Sequence, residues 1–345
     1  MPDKPTLCYL LTQEMLTACF RAKDIERLEA EVEPVGGPMA DAADILSDDV
    51  LSDDMLARAD IILTCWGSPP VKGDLLAAAQ RLAFVQHSAG SVRHLVDDEL
   101  FDRGVRLSSC NHALAIGVAQ MILGFLIVAG KRGWAIPALT RAGHWSRRSD
   151  AIAVERGQRI VEMFDIDVGV ISASLVGREL CKLLRHFDVN TLLYDPTITP
   201  DDTVELGAEK VELDDLLRRS RMVSLCAPAL PATKHMMGTR QFAMMKDNAI
   251  FINTSRGQNV DEDALVAELK KDRLFALIDV TDPEPPPEDH PFFSLPNVIV
   301  TNHIAGHATN GRFRQGQYAV DEILRFVRGE PLVNEITRER LAVMA

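Results

Sequence analysis

The stretch that decides the fold is DVGVISASLVGRELCKLLRHFDVNTLLYDP, residues 167–196. It opens on an apolar run suited to a buried parallel strand, residues 168–171, and passes through a short turn. Residues 175–184, LVGRELCKLL, then repeat their apolar positions every three or four residues, as a helix does. A second apolar run, residues 191–194, ends at Asp195 and Pro196. A strand, a turn, a helix and a strand with an acid at its end form the layout of a dinucleotide site, with the pyrophosphate at the helix N-terminus and the ribose on the acid.

Where such loops carry glycine, G-x-G-x-x-G, this chain has Ser172, Ser174 and Gly177, so only the third glycine is kept. The second matters most: without a Cβ the backbone can approach the pyrophosphate, and serine adds both a Cβ and a hydroxyl. Two outcomes are open. Either Ser174 donates a hydrogen bond to the phosphate, or the loop holds a dinucleotide poorly. Asp195, 18 residues after Gly177, can accept from both ribose hydroxyls and repel a 2′-phosphate, which favours NAD over NADP. The plainer alternative is that Asp195 and Pro196 open a turn.

Working outward, strand signals fall at residues 6–10, 60–64, 84–87 and 105–108, with helical periodicity over 14–31 and 75–79. The twice-repeated LSDD, from Leu46 and from Leu51, reads as two helix-capping clusters rather than a repeat. A long, mostly apolar helix over 111–131 leaves this first lobe. A second alternation follows, with strands at 168–171, 191–195, 222–226, 249–253, 275–279 and 298–301. The last helix, 312–328, is expected to return to the first lobe. The expected class is α/β: two Rossmann-like or flavodoxin-like doubly wound parallel-sheet domains with an interdomain cleft. The domains are residues 1–110 plus 312–345, to bind substrate, and residues 111–311, to bind NAD.

A chain of 345 residues is too long for one small core, which agrees with two domains. The formal charge of −13 repels phosphate backbones and anionic lipid, so no nucleic-acid or membrane partner is expected. The amino terminus has no signal-peptide pattern, and the most apolar segment, residues 121–130, is short for a bilayer span. Six cysteines at irregular spacing read as reduced, buried thiols of a cytoplasmic protein.

Arg256, Glu284 and His303 each stand a few positions beyond the strand signals at 249–253, 275–279 and 298–301. Side chains placed there converge at the carboxyl edge of an α/β sheet, where ligands bind. Arg256 is then a clamp for a carbonyl and carboxylate, Glu284 an orienter and His303 a proton donor, which is the equipment for reducing a 2-oxo acid with a hydride. Each residue alone has a plainer reading, and the convergence is what argues for chemistry. His307, four residues after His303, invites an HxxxH metal pair, which Gly306 and the lack of a third ligand disfavour. No metal is expected.

INTSRGQNVDEDAL, IDVTDPEPPPEDHPFFSLPNVIVTNHIAGHAT and SLCAPALPATKHMM resemble the D-isomer-specific 2-hydroxyacid dehydrogenases. The resemblance covers residues 59–329 and is most specific over 168–309. It implies an NAD-dependent reductase of 2-oxo acids, commonly dimeric through the region of the long apolar helix, with Arg256, Glu284 and His303 catalytic. It implies that the amides of Ala89 and Gly90, in QHSAGSV, hold the substrate carboxylate. It implies NAD contacts from Ser172, Ala173, Ser174, Leu175, Val176, Asp195, Ala227, Pro228, Thr233, Thr254, Asp279, Ala305 and Gly306. Trp66, in CWGS after a first-lobe strand, lines the pocket in this reading and suits either a compact or an aromatic substrate.

The chain departs from the family pattern at Ser172 and Ser174, at Asn302 where proline is usual, at Gln120 where glutamate is common, and in SAGSVR. Serine variants of the phosphate loop resemble those of one bacterial branch. With no regulatory domain after Ala345 a feedback-regulated phosphoglycerate enzyme is disfavoured, and the Glu284 pairing disfavours formate. The alternative from another class is an NAD-sensing scaffold, similar to the corepressors built on this fold.

Overall fold

The computed structural model describes residues 4–40, 53–145, 150–154 and 159–344. Its contacts divide the chain into two compact units, residues 1–114 with 307–345 and residues 115–306.

The first unit carries five parallel strands: β1 (Thr6–Leu10), β2 (Glu33–Gly36), β3 (Ile61–Thr64), β4 (Phe84–His87) and β5 (Arg106–Ser109), in the order β2-β1-β3-β4-β5. Strands β3 and β4 are buried throughout, as both faces of a covered parallel sheet require. Edge strand β2, Glu-Pro-Val-Gly, has no apolar run and was not expected. The helical stretch expected over 14–31 is two helices, Gln13–Cys19 and Ala22–Glu29, because Phe20 and Arg21 are extended and Phe20 turns into the core. Of the two LSDD clusters, residues 46–49 lie outside the described residues, and helix Asp53–Arg58 begins within the second. Helix Gly311–Val327 buries Ala319, Val320, Ile323 and Leu324 among Leu7, Tyr9, Ile61, Leu63 and Phe84.

The second unit holds seven parallel strands: β6 (Phe164–Ile171), β7 (Asp188–Tyr194), β8 (Glu209–Lys210), β9 (Met222–Leu225), β10 (Ala249–Asn253), β11 (Leu274–Ile278) and β12 (Val298–Val300). Their order is β12-β11-β10-β9-β6-β7-β8. One more strand is present than expected: β8 is two exposed residues paired to Leu192 and Leu193, too short and polar to leave an apolar signature. Strand order reverses between β6 and β9, which opens a crevice at their carboxyl ends, the usual place for a nucleotide.

The segment judged too short for a bilayer belongs to a longer helix, Asn111–Gly130, whose 20 residues are long and apolar enough to cross one by length and composition. Ala115, Val118, Ala119, Ile122, Leu126 and Ala129 are buried at three- and four-residue spacing, so one side of it is core.

Candidate active site

Strands β10, β11 and β12 are neighbours, with Asn253 opposite Ile278 and Ile278 opposite Val300, so the loops leaving them emerge side by side. After β10, the Asn253 side chain accepts from the Ser255 amide at 3.1 Å and hydroxyl at 2.9 Å, and donates to the Arg256 carbonyl at 3.1 Å. That turn sets where Arg256 starts. Gly257 lies so close to the β11 loop that a Cβ would stand 2.0 Å from the Thr281 carbonyl carbon. Only glycine fits there, and the close approach seats the Arg256 loop against the segment that leads to Glu284.

Asp279, 2% exposed, organises the third loop. Its carboxylate accepts from the Thr301 hydroxyl, the Ile304 amide at 2.9 Å and the Ala305 amide at 3.0 Å, and its carbonyl accepts from the His303 amide at 2.8 Å. His303 is thereby held at φ 57°, a left-handed conformation that costs a non-glycine residue about 1–2 kcal/mol. Its Nδ1 lies 2.6 Å from Glu284 Oε1, which leaves Nε2 outside that contact.

Arg256 donates to the Ser255 carbonyl at 2.7 Å, and among the described residues no carboxylate lies within ion-pair distance of it. Burial pulls its guanidinium below the usual arginine range while the nearby charge of Glu284 works the other way. A partly buried cation without a counter-ion is matched to an incoming anion.

In the nucleotide loop, Ser172 takes φ 84°, the conformation its missing glycine would adopt. Its hydroxyl donates to Asp195 at 3.1 Å, on the same carboxylate oxygen that accepts the Ala173 amide at 2.8 Å. The other oxygen accepts the Thr197 amide at 2.8 Å and hydroxyl at 2.6 Å, so Asp195 does open a turn. Burial raises its carboxyl, but the hydrogen bonds from Thr197, Ala173 and Ser172 outweigh that and hold it below the ordinary aspartate value.

Ser174 caps helix Leu175–Leu184, accepting from Gly177, and gives its proton to the Cys226 carbonyl at 2.8 Å. The Ser174 hydroxyl is thus turned inward, toward the Cys226 carbonyl. Gly177 is indispensable, because a Cβ would lie 2.0 Å from the Ser172 carbonyl oxygen. The loop after β9 is braced by Asn259, which donates to the Ala227 carbonyl at 2.8 Å and to that of Pro228, and by Thr233, which donates to the Pro228 carbonyl at 2.6 Å.

The Thr254 hydroxyl is buried with no partner among the described residues, an orphan a bound group would satisfy. With the helix N-terminus and the close strand-to-helix crossing at Gly177, it makes the second unit fit a dinucleotide.

In the first unit, Ala89 and Gly90 follow β4, and neither amide finds an acceptor among the described residues. Two adjacent N–H groups are thereby left available to an acceptor. Trp66, two residues past β3, is 40% exposed. Spacing in the sequence could not have pointed to Asn259 or Thr301, because their partners are brought close by the fold, whereas Asn253 bonds residues two and three positions on, a local turn.

Residues 123–305, just over half of the chain, match the model of the D-isomer specific 2-hydroxyacid dehydrogenase, NAD binding domain. The chain belongs to that family. It is 28% identical to D-3-phosphoglycerate dehydrogenase of Methanocaldococcus jannaschii over 81% of this chain and 52% of that protein. The chain therefore spans about half the length of that relative. It is 29% identical to glyoxylate reductase of Korarchaeum cryptofilum over 79% of this chain and 82% of that protein. In fold it is similar to a phosphoglycerate oxidoreductase from Rhizobium etli, with TM-score 0.79 and 24% identity over 97% of this chain and 99% of the other.

Proposed function

We propose that the protein is an NAD(H)-linked oxidoreductase that interconverts a 2-oxo acid and a D-2-hydroxy acid. The observation that carries this reading is the 2.6 Å contact of His303 with Glu284, on loops beside an Arg256 that lacks a carboxylate partner among the described residues.

Reduced nicotinamide, when bound, supplies a hydride for C2 of the oxo acid. The residues to hold it are the loop at Ser172, Ala173, Ser174, Leu175 and Val176, with Asp195 for the ribose and Ala227, Pro228, Thr233, Thr254, Asp279, Ala305 and Gly306 beyond. The Ala89 and Gly90 amides take the substrate carboxylate. Arg256 shares that carboxylate and stabilises the charge growing on the C2 oxygen. His303 Nε2 gives that oxygen a proton, so hydride and proton together turn C=O into CH–OH; in reverse, Nε2 removes the hydroxyl proton. Glu284 fixes the ring and offsets the imidazolium charge. Asp195, held ionised by its hydrogen bonds, repels a 2′-phosphate, so NAD is preferred to NADP.

The test is NADH oxidation with glyoxylate, hydroxypyruvate, pyruvate and phenylpyruvate, followed by chiral separation of the product. No turnover of these or of any longer or dianionic 2-oxo acid, with NADH bound, overturns the reading.

A homodimer is part of the proposal. Ile127 and Val128, on the side of helix Asn111–Gly130 away from its buried residues, are 40% and 41% exposed, and a second copy would cover them. Sedimentation of the Ile127→Glu variant as a monomer is the expected result; a monomeric parent protein removes the dimer.

A further inference from the structure

Strands β3 and β4 end in register, Thr64 opposite His87, and beyond them Ser88 donates its amide to the Thr64 carbonyl at 2.8 Å and its hydroxyl at 2.7 Å. This pairing brings Trp66 and the free amides of Ala89 and Gly90 to one stretch of sheet edge. Helix Gly311–Val327 starts over the same edge. It is seated by Gly316, where a Cβ would stand 1.9 Å from the Cys19 carbonyl oxygen. Arg312, in the helix's first turn, lays its guanidinium 5.5 Å from the centre of the Trp66 ring.

Beyond the ring, Arg312 touches His307 Nδ1 at 3.5 Å. Among the described residues it has no carboxylate partner, whereas Arg27, Arg81, Arg106, Arg328 and Arg338 of the same unit are paired with acids, and Arg93, Arg103 and Arg340 are engaged by backbone carbonyls. Nearby Arg21 likewise lies over a ring, that of Phe313 at 5.2 Å, with no carboxylate partner among the described residues. In a chain with 50 acidic against 37 basic residues, an arginine set on an aromatic face and left without an acid is a cation held ready for something else. At an exposed site such a contact is weak, too weak to explain the arrangement as a stability device. It does hold over the ring a donor fork whose geometry matches a carboxylate or a phosphate.

We propose that Arg312, held over the Trp66 ring, reads a second anionic group at the far end of the substrate, so that the preferred substrates are 2-oxo acids with a carboxylate or phosphate tail. The inference rests on the dehydrogenase reading above. The guanidinium also covers the indole face on which an aromatic tail would stack, so arylpyruvates are disfavoured.

The experiment measures kcat/KM of the full chain with NADH for substrates paired in carbon skeleton. One pair is 2-oxoglutarate against 2-oxopentanoate, and the other is phosphohydroxypyruvate against hydroxypyruvate. The expected result is a preference of about tenfold or more for the extra anion in at least one pair, as one charged hydrogen-bonding site supplies. The pair that responds separates carboxylate from phosphate.

In Arg312→Met the preference ratio collapses towards one, through KM more than kcat, and Arg312→Lys restores part of it. A wild type indifferent to the second anion, or an Arg312→Met variant that lowers both members of a pair equally, overturns the inference and leaves the dehydrogenase reading standing. No turnover of any 2-oxo acid overturns both.

Discussion

The Ser172 hydroxyl donates to the carboxylate of Asp195 at 3.1 Å, joining the residue that replaces a loop glycine to the acid at the end of the next strand. Replacing that glycine therefore leaves the loop shape in place. The left-handed backbone persists at Ser172, φ 84°, and the bond to Asp195 compensates part of the strain.

Ser172→Gly should relieve that strain and free one lone pair of Asp195 for a ribose hydroxyl. Titration calorimetry is expected to give about threefold to tenfold tighter NADH binding, the effect of one modest hydrogen bond. Weaker binding would show that the serine supports the cofactor rather than merely standing in for glycine. Ser174→Ala loses the cap of helix Leu175–Leu184 and should cost about 1 kcal/mol in urea denaturation.

At the reactive end, His303→Ala should lower kcat by about 10²- to 10⁴-fold with NADH affinity nearly unchanged. Asp279→Asn keeps the shape of the side chain but presents N–H donors to a cluster of donors, Thr301, Ile304 and Ala305. A loss of about 1–3 kcal/mol in stability is expected, together with a lower kcat as the His303 loop shifts. A kcat equal to wild type would separate Asp279 from the placement of the histidine.

Two glycines make a matched pair. Gly257→Ala puts a methyl group on the Thr281 backbone and should abolish activity by pushing the Arg256 loop away. Gly117, in helix Asn111–Gly130, has nothing within 4 Å of a Cβ. Its change to alanine should raise stability by about 0.5–1 kcal/mol in the same denaturation assay, because alanine loses less backbone freedom on entering a helix.

Glu262 accepts from the Asp282 amide at 2.9 Å, just before Glu284. Burial pushes its carboxyl up to about 7, the charges of Asp282 and Asp263 add to this, and the Asp282 N–H opposes it. The folded value lies above the ordinary 4.5, so the protonated side chain stabilises the fold fully below pH 4.5 and that contribution is lost as pH rises through about 7. Glu262→Gln should therefore be the more stable protein at pH 8, by on the order of 1–3 kcal/mol, and the difference should vanish at pH 4.5. Urea midpoints at the two pH values decide it, and a variant less stable at pH 8 contradicts the burial argument.

The amino-acid sequence by itself determined the interior strands of both sheets and the positions of Arg256, Glu284 and His303 at the ends of three of them. A parallel strand covered on both faces must be apolar nearly throughout, and such runs are legible without a partner. Strands β2 and β8 escaped because edge strands are held by backbone bonds and need no apolar side chains. The break between helices Gln13–Cys19 and Ala22–Glu29 escaped because the helical period continues on both sides of it. Only the tertiary structure decided that Ser174 turns inward to Cys226, that Asp279 ties the His303 loop, that Gly257 admits the Thr281 backbone and that Arg312 rests on Trp66. Each of those facts is a contact between groups that the chain separates and the packed sheets bring together, and no local period in the sequence carries such information.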